Sequence, residues 1–348
     1  MITKVVVMLL VVISLATPVF ASEIKAPEAP LDIQPMVPEE PESFADGMLW
    51  VIKQTISKIS PSFTEAMKLC GSIIIIIMLV SFAKFLPGAS GLPIGLVGVL
   101  SLSFLILSPS KSMIHMSADT VKQLQEYSKL LLPVMTTALA MQGGGTSATA
   151  LYAGTALFNT LLSALISSVL IPMTYIYICL CVAGSAFSNE SLDRMKSVIK
   201  GTIIWSLKTI LYVFTGYMGI TGVVSGTTDA AALKATKLTI SGVVPVIGNI
   251  LSDASEAVLV SAGVMKQAAG VYGLIVTFAI WLSPFLKIGI QYLMLKLTAS
   301  ICDMFGDKNA VKLVHDFTGT LAILLAISGA MCLLSLISTV CFMKGMNI

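Results

Sequence analysis

Apolar positions dominate this chain, and the polar residues that interrupt them decide what it can fold into. The first apolar run, 5–16, follows Lys4 and ends at Thr17-Pro18 and Val19-Phe20-Ala21. A charged start, a short apolar core and small residues at the break predict a cleavable secretory signal peptide over 1–21. Residues 22–47 then carry five prolines and seven acids against one lysine. So few apolar residues cannot offset the entropy of ordering, which predicts a disordered acidic, Pro-rich linker. From 48 to 68, Trp50, Ile52, Ile56, Ile59, Phe63 and Met67 recur at helical spacing, with Lys53, Lys58 and Lys68 between them. This is the pattern of a basic amphipathic helix at a membrane surface, interrupted near Ser60-Pro61.

Longer apolar runs follow. Residues 69–83 are short but strongly apolar, and 85–110 are uncharged. From 130 to 189 there is no charge in 60 consecutive residues, room for three short spans or for two and a re-entrant piece around Gly143-Gly144-Gly145. Runs at 201–224, 267–286 and 317–343 supply three more. With about 20 residues per span, the pattern predicts an all-α, polytopic helical membrane protein with seven or eight spans over 69–348.

Composition excludes the alternative of a soluble enzyme. Only 11% of the 348 residues are charged and 56% are hydrophobic, whereas a soluble domain carries roughly 25% charged residues. From Met48 onward 19 bases face 11 acids, a balance suited to anionic lipid headgroups. The bases are spaced out and no stretch interleaves them with aromatics, so no nucleic-acid surface is expected. The densest basic run beside a span is Arg194, Lys196 and Lys200, which positive-inside asymmetry puts in the cytoplasm.

Chemistry-bearing residues are sparse. No Asp or Glu falls inside an expected span, and Lys208 and Lys287 lie near enough to expected helix ends to snorkel. Proton-coupled transport normally uses an intramembrane carboxylate or histidine, so it loses ground. His115 and His315 are about 200 residues apart, Cys179-x-Cys181 sits in an apolar run, and the other cysteines are scattered. Neither a metal site nor a disulfide framework is indicated. No catalytic, cofactor-binding or metal-ligating residue is expected.

Two features remain. Gly91 and Gly95, and separately Gly216, Gly219, Gly222 and Gly226, place small residues at helix-interface spacing. Such faces allow close helix packing in lipid, either within the bundle or between subunits. The second feature is the segment 226–266. Lys234 and Lys237 precede an uncharged run, 238–252, broken by Gly242, Pro245 and Gly248. Asp253 and Glu256 then have capping-box spacing, predicting a helix start at that point. A re-entrant hairpin near 238–266, or an amphipathic loop on the bilayer, fits this pattern. Non-helical backbone at membrane depth survives only in protein or against a water-filled cavity, which makes Lys234, Lys237, Gly242, Pro245, Gly248, Asp253 and Glu256 candidates for lining or interaction.

The sequence of this segment, Lys234-Ala-Thr-Lys237-Leu followed by Gly242-Val-Val-Pro245-Val-Ile-Gly248-Asn-Ile-Leu-Ser252-Asp253-Ala254-Ser255-Glu256, resembles the stage III sporulation protein AE family. The likeness runs from about Gly143 to the C-terminus, and before that the layout matches. The resemblance implies a membrane subunit of a multi-protein channel or secretion-like complex joining mother cell and forespore, needed for forespore development. It implies other membrane and extracytoplasmic subunits as partners, a multi-pass location in the mother-cell membrane around the forespore, and no cofactor or active site. A stand-alone permease for a small solute and a non-conducting membrane scaffold are the competing functions.

Overall fold

The computed structural model of the chain describes residues 26–38, 43–84, 86, 93–243, 248–304 and 308–344, with side chains placed outside 222–266. The expected signal peptide, Gly91 and Pro245 lie outside the described residues. Seven helices make up the described fold, and no strand occurs among the described residues. They are α1 (Phe44–Ser57), α2 (Ser60–Ala83), α3 (Ile94–Met141), α4 (Gly145–Phe187), α5 (Glu190–Val243), α6 (Gly248–Cys302) and α7 (Lys308–Lys344). All but α1 are long and apolar enough to cross a membrane, giving six such helices among the described residues, not seven or eight.

The difference arises in α3. The sequence suggests a span ending at Ser110 and a new one after Lys129, yet the helix runs through the charged stretch between them. It does so because one face of that stretch stays apolar or weakly polar. Ile114, Ser117, Val121, Leu124, Ser128, Leu131, Met135 and Ala138 are all buried, at alternating spacings of three and four. The buried positions Phe317, Leu321, Leu324, Ser328, Met331, Ser335, Ser338 and Phe342 of α7 show the same spacing. A 3.5-residue period keeps a seam facing its partner along a helix pair. Ser117 Oγ donates to the Leu324 carbonyl at 3.3 Å, and the Ser128 and Ser335 hydroxyls lie 3.1 Å apart. The two helices therefore run parallel in register, and α7 is the central helix of the bundle.

The uncharged run 130–189 becomes the end of α3, a tight turn and one long α4. Gly143 takes φ 86° at the turn, a left-handed conformation that favours glycine. It forms a helix–helix corner, so the run holds neither three short spans nor a re-entrant piece. Within α4 a π-helical turn, Ile166–Leu170, precedes Pro172; it accommodates the missing N–H and the ring that a regular turn would reject. Ser188 (φ 50°) ends α4. The Asn189 carboxamide oxygen then accepts from the Ser191 N–H at 2.8 Å to open α5.

Two further expectations change. Residues 26–38 are not a free linker: Ala29, Ile33, Met36 and Val37 are buried, the Gln123 amide donates to Asp32 at 3.2 Å, and the Tyr127 hydroxyl to the Pro27 carbonyl at 3.5 Å. The prolines limit the entropy lost on ordering, and the apolar residues between them find a receiving surface. The amphipathic helix expected over 48–68 is divided at Lys58 and Ile59; its second part continues into α2, whose Ala66, Cys70, Ile73, Ile77 and Val80 form one buried stripe.

Candidate functional site

Apolar helices that meet at one end of a bundle must bring their terminal charges together or expose them. Here α5 and α7 bring theirs together. Lys196 Nζ lies 2.8 Å from an Asp193 carboxylate oxygen one turn away. The same ammonium donates to Asp316 of α7, and Lys312 of α7 donates back to Asp193. Two carboxylates and two ammoniums thus alternate across the α5–α7 contact, and the Lys196 side chain is only 6% exposed. Each buried charge has an opposite partner, the condition under which such burial is tolerated. Arg194 and Glu190, one turn apart, also pair at 3.3 Å but are 78% and 88% exposed.

The end of α4 seals the group. A side chain at Gly184 would sit 3.2 Å from Asp193 Oδ1 and 3.5 Å from Lys196 Nζ. One at Gly319 would sit 2.5 Å from the Tyr177 hydroxyl. Glycine at these two positions lets polar side chains of neighbouring helices lie directly against the backbone. Tyr177 and Cys181, both buried, complete the wall on the α4 side. His315 pairs with Asp303 at 3.0 Å near the α6–α7 corner. The arrangement joins α5 and α7 at one end of the bundle by charge, with the uncharged end of α4 packed over it. Among the described residues no three His, Cys, Asp or Glu are grouped as a metal would require, and all six cysteines are free thiols.

This network corrects the sequence reading. Asp119, Glu126 and Asp316 lie outside the apolar runs expected as spans, yet each is within a long helix and not in a loop. Lys196, expected as a cytoplasmic loop charge, is buried in the network. Lys208 is exposed and Lys287 half-buried, each well inside a long helix and not near its end.

The candidate interaction residues fall on α5 and α6. Lys234, Lys237 and Gly242 lie on the helical backbone of α5, and Gly248, Asp253 and Glu256 on that of α6; their side chains lie outside the described residues. The helix begins at Gly248, ahead of the expected start at Asp253. Of the packing glycines, Gly95 is half-buried. Gly216 and Gly219 are exposed, and a methyl group added at either would meet nothing within 4 Å. The side-chain surroundings of Gly222 and Gly226 lie outside the described residues. Close approach is provided by Gly98, three residues beyond Gly95, against Val80, and by Gly154 against Tyr217, Gly270 against Met343 and Gly273 against Leu131. Gly154 stands singly in the sequence, while Gly270 and Gly273 repeat the three-residue spacing of Gly216 and Gly219.

Comparison with known proteins adds a family. The family model described as stage III sporulation protein AE matches residues 42–345. The protein named Stage III sporulation protein AE from Bacillus subtilis (strain 168) is 21% identical over 205 residues, covering 59% of this chain and 51% of that protein. The chain thus aligns with about half the length of this curated relative. No solved structure matches.

Proposed function

Because the chain belongs to the stage III sporulation protein AE family, we propose that it is an integral membrane subunit of a channel or secretion-like complex between mother cell and forespore. It works through contacts with other membrane and extracytoplasmic subunits, in the mother-cell membrane around the forespore, and carries out no catalysis. One observation about the fold supports this above others. The helices α5 and α6 are 54 and 55 residues long, more than twice the roughly 20 that a bilayer core requires. The surplus of both carries the family-like segment with Lys234, Lys237, Asp253 and Glu256. We assign it the role of a docking arm.

The side of the membrane follows from the charges. With Arg194, Lys200, Lys308 and Lys312 at the cytoplasmic end of the bundle, six spans place the 142–144 turn, the C-terminal end of α5 and the C-terminal end of α7 outside. The arm then faces the space between the two membranes, where extracytoplasmic subunits are.

The test is affinity purification of a tagged chain from sporulating cells in mild detergent. The expected result is a defined set of membrane and extracytoplasmic sporulation proteins, lost when Lys234→Glu and Lys237→Glu are combined. Recovery of the intact chain alone would contradict the reading and favour a permease.

A further inference from the structure

The middle of α3 has two unlike faces. One is the buried seam against α7. The other exposes Lys111, His115, Asp119, Lys122, Glu126 and Lys129, spaced so that all six fall on one side of the helix. These residues cover about 27 Å at 1.5 Å per residue, close to the thickness of a bilayer core. Lys122 and Glu126 are 72% and 59% exposed at 3.9 Å from one another.

The height of this face relative to α7 follows from what packs on the other side. Ser117 and Ser128 meet Leu324 and Ser335, so the charged face lies beside the part of α7 that carries no charge from 317 to 343. Helix α4 meets the same part of α7: Thr155 accepts from Ser338 at 2.9 Å, and Tyr177 lies against Gly319. At that height α4 has no charge at all and exposes Leu157, Leu161, Val169 and Ile176. The bundle is therefore two-sided at one level, apolar outward on α4 and charged outward on α3.

A second observation points the same way. Residues 26–38 pack beside Gln123 and Tyr127 of α3, and only Gln34–Met36 of that stretch is helical, as a single 3-10 turn. Irregular backbone of this kind cannot face hydrocarbon, because its peptide groups would go unsatisfied. A row of ionisable side chains facing lipid is opposed for the same reason, the loss of their hydration.

We infer that the 111–129 face of α3, with residues 26–38 beside it, is the wall of a water-filled path at membrane level, while α4 faces lipid. The wall carries both signs of charge, so the solutes it admits are hydrated and polar, with no strong selection by sign. This inference rests on the proposed role in a membrane complex and gives the conduit a location in this chain.

The experiment uses the full chain in sporulating cells, with its six cysteines replaced by serine or alanine. Single substitutions Lys111→Cys, Asp119→Cys and Glu126→Cys are compared with Leu157→Cys, Leu161→Cys and Val169→Cys. Membranes opened to both sides are treated with a charged, water-soluble methanethiosulfonate. The expected result is full modification at the three α3 positions and none at the three α4 positions. Protection of the α3 cysteines, by lipid or by a protein partner seated on them, overturns the inference. Modification of both sets equally also overturns it, since that level would then lie outside the bilayer. Protection in a complex that still purifies with its partners sinks only the wet wall; loss of the partners sinks the functional reading itself.

Discussion

Lys196 carries a consequence that its neighbour Arg194 does not, although the two belong to the same run of charges. Its ammonium, 6% exposed, is shared by Asp193 and Asp316, which are 35% and 19% exposed. Lys196→Met takes the partner from Asp316 while Asp193 keeps Lys312; removing one member of a buried pair costs about 3–5 kcal/mol, and the loss here is smaller because both carboxylates keep some solvent. Thermal unfolding of the purified protein in detergent is expected to show a loss for Lys196→Met and no measurable change for Arg194→Ala. Replacing Asp193, Lys196, Lys312 and Asp316 together by apolar residues of similar size is expected to recover most of that loss. At Gly319 the constraint is space. Gly319→Ala pushes a methyl against the Tyr177 hydroxyl, an overpacking that costs about 1–3 kcal/mol. Adding Tyr177→Phe removes the opposing oxygen and should restore part of the stability, read as a coupling in a double-mutant cycle.

Between helices, what the sequence displays and what the fold uses diverge. The repeated glycines at 216 and 219 are the legible packing signal, yet in the fold they are open to the outside. Close approaches occur at Gly98, Gly154, Gly270 and Gly273, whose partners Val80, Tyr217, Met343 and Leu131 lie on other helices, so glycine spacing alone does not say which face is closed. The apolar run at 317–343 is readable as a span because hydropathy needs no partner. The α3 seam is harder to see, since Ser117 and Ser128 stand in it and charges interrupt the opposite face; only a 3.5-residue period that tolerates serine reveals it. Residues 26–38 mislead for a related reason. Composition marks them as a linker, but Ile33, Met36 and Val37 are buried against other elements that composition cannot see. The open glycine face makes its own prediction. Gly216→Ala and Gly219→Ala are expected to leave the isolated chain as stable as before, or slightly more stable by helix propensity. If that face meets another subunit, Gly219→Leu lowers recovery of the complex without lowering the amount of chain in the membrane.

Across the whole molecule, a two-sided bundle with long helical arms meets a family assignment. The orientation is checked by reporters inserted at 188–189 and at 244–247. The expected outcome is a cytoplasmic signal from the first and an extracytoplasmic one from the second; the reverse would invert the arm. The six apolar helices make a membrane protein legible from sequence, because burial in lipid is written residue by residue. The proposed membership of an assembly is not written that way, and it rests on the family and the surplus length of α5 and α6. Whether this arm holds the chain in a complex is decided by photo-crosslinking. A photoreactive amino acid is placed at Lys237 or Glu256 in sporulating cells, and the adducts are identified. A docking arm gives a small, defined set of extracytoplasmic sporulation proteins; adducts to lipid alone, or none at either position, would contradict it.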